Sequence, residues 1–259
     1  MDFLKRELAP ISNKAWMEIE KRAKDVLSTQ LTARRFVKVT NVSCENSGGI
    51  TTGRIKIEKN EDKEFGIYKI QPFVENRVNF TLDRWELDNV DRGAKDINFD
   101  TLDMALKEAA KFEEKSIYYG LEKACIVGIL NKELLEFGKT EAETLKSVMY
   151  GISKIKNQSF SSGPYALVVG LEKYIYLNTI NLNDSLLKKI ERVLGTPVII
   201  SHNITEGVLL PYNKDDIELV LAKDFSIGYT EHSSKEVKLF ITETFTFRSL
   251  DPISIVCYK

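Results

Sequence analysis

Histidine is nearly absent from this chain and cysteine is sparse, with two and three residues respectively among 259. Cys44, Cys125 and Cys257 stand far apart, without a Cys-x-x-Cys pair or any Cys/His metal spacing. A disulfide framework and a zinc site are therefore not expected, and buried reduced thiols are. His202 and His232 sit in polar, loop-like sequence, SHNITEG and TEHSSKE. A nucleophilic triad needs a histidine positioned by a third group, so surface histidines without a role are the expectation. The phosphate loops GxGxxG and GxxxxGKS/T, the nucleophile elbow GxSxG and the zinc helix HExxH are all missing. Nothing here announces an enzyme.

Long apolar runs are missing too. No stretch of about 18 apolar residues could span a bilayer, and the opening MDFLKRELAP carries charges where a secretory signal needs an apolar core. A cytoplasmic protein with no membrane partner is expected. Charge of either sign in excess is also lacking: 37 Lys and Arg against 38 Asp and Glu leave a net charge of −1. Such a chain has no electrostatic pull toward nucleic acid, and its copies repel one another weakly, which eases self-association. What remains is ordinary globular material, 43% hydrophobic, enough for one large domain or two modest ones.

Ser12 can cap a helix whose stripe is Trp16, Ile19, Ala23, Val26 and Leu27, ending near Leu31. RRFVKV, residues 34–39, reads as a strand. Residues 53–74, GRIKIEKNEDKEFGIYKIQPFV, alternate on both sides of a turn at 60–63 and read as a long, charged hairpin with a thin apolar face carrying Ile55, Ile57, Phe65 and Ile67. A lone two-stranded hairpin is marginal in water, and a neighbouring copy is the economical cover. Asp100 or Asn98 opens a long amphipathic helix reaching about Leu121. From about residue 132 the elements shorten: a Thr140/Glu143 capping box with Leu145, Val148, Met149 and Ile152 inward, the buried strand YALVVG, and a helix capped by Asp184 and stopped by Gly195. Short strands follow at 197–201, 207–211 and 217–222. The closing strand, 237–247, places Val237, Leu239, Ile241, Phe245 and Phe247 on one face and threonines on the other. Glu243 falls on the apolar face, either as a structural carboxylate paired with an arginine or as a working acid.

Residues 79–93, NFTLDRWELDNVDRG, crowd Asp83, Glu86, Asp88, Asp91 and two arginines around Trp85. Glu86 and Asp88 could ligate a cation if both pointed the same way, and paired carboxylates could do acid–base work. No histidine or phosphate loop supports either chemistry. A third reading fits better: a corner where carboxylates meet arginines of the same or a neighbouring chain, with Trp85 as a rigid contact.

Five ordered blocks, MDFLKRELAPIS, TQLTARRFV, NFTLDRWELDNVDRG, LAKDFSIGY and LFITETFTF, resemble the encapsulin shell proteins, once labelled linocin-type bacteriocins. The resemblance runs nearly end to end and is weakest between 132 and 222. It implies an α+β chain with the Hong Kong 97-type fold of tailed-phage major capsid proteins. A P-domain would take 1–52, 75–131 and 224–259, an E-loop 53–74, and an A-domain 132–223. It implies a type 1 encapsulin nanocompartment, an icosahedral homo-oligomer of the smallest class (T=1) with on the order of sixty copies. This would enclose a ferritin-like iron-storage protein or a dye-decolourising peroxidase through a C-terminal targeting peptide. Leu27, Arg34, Phe36, Ile227 and Tyr229 would line the peptide's groove, with Lys38 standing where relatives carry an acidic residue. Asn178, Thr179, Ile180, Asn181, Leu182, Asn183 and Asp184 would ring a five-fold pore that passes ions and small solutes. Ile55, Ile57, Phe65, Ile67 and Trp85 would lie between subunits. No metal and no resident cofactor are implied, although Trp85 offers a stacking surface to a flavin. Two rivals stay open: a prophage major capsid protein, disfavoured because the chain starts within a dozen residues of its first helix and lacks a basic excess, and a carboxylate-based hydrolase or peptidase.

Overall fold

The computed structural model describes residues 3–42, 47–61, 63–179 and 185–259. Along the chain run helix α1 (Asn13–Gln30), strands β1 (Lys38–Asn41), β2 (Gly49–Asn60), β3 (Lys63–Pro72) and β4 (Val74–Asp83), then helices α2 (Arg84–Arg92) and α3 (Asp100–Tyr118). Short strands β5 (Gly120–Leu121), β6 (Ile126–Val127) and β7 (Leu134–Leu135) lead to α4 (Glu141–Ser159), β8 (Tyr165–Gly170), α5 (Leu171–Thr179) and α6 (Leu186–Leu194). The rest is β9 (Ile199–Ser201), β10 (Gly207–Pro211), β11 (Ile217–His232), β12 (Glu236–Ser249) and β13 (Val256–Tyr258).

Local signals set most of these ends. The Ser12 hydroxyl accepts the Ala15 N–H, and Thr140 with Glu143 closes the expected capping box of α4. Gly195 ends α6 in the left-handed region, where glycine alone pays no Cβ penalty. The N-cap of α6 is Ser185, which accepts the Lys188 N–H; Asp184, expected in that role, lies outside the described residues.

Two sheets organise the chain. The first runs β1-β11-β12-β4, with β1 parallel to the opening of β11 and the other pairs antiparallel. Helices α1 and α3 cover one face, burying Trp16, Ile19, Leu102 and Leu106 against Phe80, Leu239 and Ile241. The second sheet runs β7-β13-β10-β8-β9 and packs Leu167 and Leu209 against Val148 and Ile155 of α4 and Ile190 of α6. A third cluster joins the sheets: Phe36, Tyr118, Leu219 and Phe247 meet Val168, Val208 and Cys257. Each fully buried side chain of this size contributes about 1.5–3 kcal/mol against exposure.

Several expectations shift. Ala33–Arg35 forms a 3-10 turn with Phe36 as its C-cap, and strand begins at Lys38. Residues 217–222 do not end a module: they begin the 16-residue β11, so the boundary expected at 223/224 falls inside one strand. The C-terminal β13 joins the second sheet, so the expected 132–223 insert shares its sheet with the end of the chain. Met149 is exposed, whereas Thr242 and Thr246 on the back of β12 are buried. Cys257 is a buried thiol donating to the Ile129 carbonyl at 3.3 Å, and Cys125 is exposed; Cys44 lies outside the described residues.

Glu114 of α3 is fully buried where the 3-10 turn meets that helix. Its carboxylate accepts the Ala33 N–H at 2.7 Å and the Thr32 hydroxyl. Burial outweighs these bonds and, with repulsion from Glu113, raises its pKa from 4.5 to about 7. The folded chain therefore holds a proton that the unfolded chain gives up, and stability falls as pH rises through that window. Glu114→Gln is expected to stabilise the chain at pH 8 by on the order of 3 kcal/mol, with the gain vanishing below pH 4.5. Urea titrations of both chains at several pH values would measure it, and a pH-independent difference would contradict it.

Candidate functional site

Three places could carry function: the hairpin, the tryptophan corner and a groove beside β11. In the hairpin, Asn60 pairs with Lys63, so the turn is two residues long and Ile55 faces Tyr68, Ile57 faces Gly66, Lys56 faces Ile67 and Glu58 faces Phe65. Directly paired residues share a face. Ile55, Ile57, Tyr68 and Ile70 therefore occupy one face, and Phe65 with Ile67 the other, which corrects the single apolar face expected from the sequence. Both faces are open: Ile57 on one is 70% exposed and Ile67 on the other 51%. The base is tied down through the Gln71 side-chain amide, which donates to the Ala124 and Cys125 carbonyls at 3.2 and 3.0 Å.

At the corner, β4 runs straight into α2. Asp83 is the helix N-cap, accepting the Trp85 and Glu86 N–H groups, and Gly93 stops the helix with φ +96°. The remaining carboxylates are dispersed. Glu86 accepts the Asn98 N–H at 3.2 Å, Asp91 accepts the Ser12 hydroxyl at 2.9 Å, and Asp88 lies 3.8 Å from Arg92. Among the described residues no group of acidic, His or Cys side chains could hold a metal ion. Trp85 is 68% exposed, with the Arg92 guanidinium 5.6 Å from its ring.

The groove is an apolar cavity of about 540 Å³ between α1 and β11. Ala23, Leu27 and Leu31 form one wall, Phe225, Ile227 and Ile241 the other, and Leu106 the base. Of the residues expected here, Leu27, Arg34 and Ile227 line it. Phe36 does not: the 3-10 turn swings it into the core against Tyr118, ring centroids 6.3 Å apart. Tyr229 is buried beyond the cavity, its hydroxyl 2.6 Å from His232 Nδ1, which gives that histidine a partner. Lys38 is half-exposed on β1 and reaches Asp215 at 3.6 Å, away from the cavity. Leu4, Arg6, Leu31, Leu106 and Phe225 were not foreseen; they converge from distant segments and share no motif.

Arg34 is the electrostatic centre of the groove floor. It contacts Glu113 and Glu243 at 2.6 Å and Asp224 at 2.9 Å. Burial opposes its charge, yet these carboxylates outweigh burial and raise its pKa. Burial and repulsion by Glu113 push Glu243 well above the usual carboxylate range, against the pull of Arg34. Glu243 is thus paired with Arg34 through Oε1. Asn178 and Thr179 end α5, while residues 180–184 of the expected pore loop lie outside the described residues.

Comparison with known proteins adds a third line. A family model described as "Encapsulating protein for peroxidase" matches residues 1–246. A type 1 encapsulin shell protein of Rhodospirillum rubrum is 31% identical, covering 99% of this chain and 96% of the relative. Its counterpart in Brevibacterium linens is 30% identical over 99% and 98%. A virus-like particle from Pyrococcus furiosus superposes with TM-score 0.69 at 17% identity, covering 94% of this chain and 98% of that one. The capsid of Myoviridae phage XM1 does so with TM-score 0.58 at 12% identity, over 88% and 91%. The fold is the one tailed-phage capsids share.

Proposed function

Because the chain belongs to the family of encapsulating, type 1 encapsulin shell proteins, we propose that about sixty copies close into an icosahedral shell around a guest enzyme. The guest is held by its C-terminal peptide in the groove between α1 and β11. The observation that carries this reading is the β2–β3 hairpin, which opens apolar side chains on both faces and packs on little but itself. Such an arm is stable when other copies clamp it from two sides. The groove supports the guest: apolar walls with a charged floor suit an extended peptide of small apolar side chains. Openings where copies meet would pass ions and small solutes while excluding proteins. No chemistry is asked of the chain itself, since its corner carboxylates cap and brace α2.

Electron microscopy of the purified protein, expressed alone and with the product of its neighbouring gene, tests this. Hollow particles that fill only in the second case are expected, and Leu27→Glu should empty them without dispersing them. Soluble single chains at micromolar concentration would overturn the reading, and particles filled with DNA would move it to a phage capsid.

A further inference from the structure

The groove is not bare in the single chain. Residues 3–8 run across its mouth, and Leu4 and Arg6 form part of its lining. The Leu4 carbonyl accepts the Tyr229 N–H at 2.8 Å. That bond identifies which edge of β11 is in use. Strand β1 pairs only with Glu218–Leu221, so farther along, β11 turns the edge opposite β12 toward α1 and the groove. Tyr229 donates outward rather than to β12. By the two-residue alternation of an antiparallel pair, Ile227, which pairs with Ile241 in unbroken register with Tyr229 and Leu239, aims its N–H the same way, into the cavity. An extended segment laid along this edge meets a strand's open donors and acceptors, which is how peptides add to sheets.

The segment already there is lightly held. None of Arg6, Glu7 and Leu8 is buried, and Lys5 adopts φ 49°, a conformation that non-glycine residues rarely take. Its other fastenings lie at the surface: Arg6 bonds Glu20 at 2.6 Å and stands 4.2 Å over Trp16, and the Phe3 ring lies 4.5 Å from the Lys223 ammonium. Exposed ion pairs and cation–π contacts of this kind contribute little each. The result is a short strap, apolar at Phe3, Leu4 and Leu8 and charged at Lys5, Arg6 and Glu7, which turns through a 3-10 helix at Arg6–Leu8 and whose Leu4 carbonyl takes the edge a guest would need.

We propose that residues 3–8 are a built-in competitor for the groove, and that an extended peptide enters by displacing the strap and taking over the Tyr229 N–H. This rests on the reading of the groove as the guest's seat. It adds that the seat is covered until a guest arrives, so apparent affinity for a guest is lowered by the fraction of chains with the strap in place.

The test uses assembled shells and a fluorescent protein ending in the strap's own sequence, FLKREL, co-expressed with the shell. A shell chain lacking residues 3–8 is expected to package this probe at least tenfold more than the intact shell does, and Leu27→Glu in the shortened chain should abolish the gain. Should the shortened chain fail to assemble, the full-length double variant Phe3→Ser, Arg6→Gln loosens the strap and is expected to raise packaging severalfold. Hydrogen exchange gives an independent readout: Tyr229 amide protection in the intact, empty shell should be lost in either variant. Equal packaging by intact and loosened shells, or unchanged Tyr229 protection, overturns the strap while leaving the groove as the guest's seat. Packaging of the probe that ignores Leu27→Glu overturns the groove as well.

Discussion

Replacing residues 51–70 with a short Gly-Ser turn is expected to abolish particles and leave a folded, soluble chain. Ile50 and Gln71 are a directly paired rung, so the cut ends already lie side by side, and the Gln71 anchor to Ala124 and Cys125 survives. Nothing in the three core clusters comes from the excised arm. What disappears is Ile55, Ile57, Phe65, Ile67, Tyr68 and Ile70, all large and exposed in the single chain. Burying side chains of this size against neighbours is worth about 1.5–3 kcal/mol each before association entropy is subtracted. Per copy that amounts to on the order of 10 kcal/mol, the scale that separates a closed shell from free subunits. Light scattering after gel filtration reads the outcome. Particles of unchanged size from the shortened chain would show that the arm is not the clasp.

Placing a charge on one face refines the picture. Ile57→Lys and Phe65→Lys modify opposite faces of the same arm. If copies clamp it from both sides, each substitution alone should impair assembly. The sequence could not pose this question correctly. Alternation within each strand was legible, but which residues share a face depends on register. Across a two-residue turn odd-numbered residues pair with even-numbered ones, so the odd-numbered Ile55 and Phe65 part company. Helices were legible wherever a cap and a stripe coincided, as at Ser12 and Thr140. The corner was half legible: Asp83 three residues before Glu86, with Gly93 beyond, is a helix start and stop, but from the sequence it was a charged corner around Trp85, with no helix named there. The length of β11 was hidden by its irregularities, since register shifts between Leu221 and Ser226 break the period-two pattern at Lys223 and Asp224. Of the groove, the sequence yielded Leu27, Arg34 and Ile227. It misplaced Phe36 because a 3-10 turn, and not a strand, precedes that residue.

Arg34→Leu is expected to destabilise the chain by about 3–5 kcal/mol at pH 8.5, the usual cost of removing one partner from a buried charge cluster. The hairpin-shortened chain is the right background, because assembly then adds nothing to the measured stability. The wild-type arginine sets its single charge against Glu113 and Glu243, both fully buried, and against Asp224 at the surface. Without it, Glu113 and Glu243 face each other across the floor of the groove with no cation between them, and burial with mutual repulsion, which already raises Glu243, is no longer opposed. Raised carboxyl groups favour the folded chain below their unfolded pKa values and penalise it as pH climbs through the folded ones. The deficit of Arg34→Leu should therefore shrink as pH falls from 8.5, because the raised Glu243 carboxyl can then keep its proton. Adding Glu243→Gln to Arg34→Leu should recover part of the loss at pH 8.5 and flatten the pH dependence, since glutamine carries no charge to bury. Urea midpoints of the single and double variants at pH 8.5 and at a lower pH decide it. A deficit that is the same at both would mean that Arg34 holds this floor by packing rather than by charge.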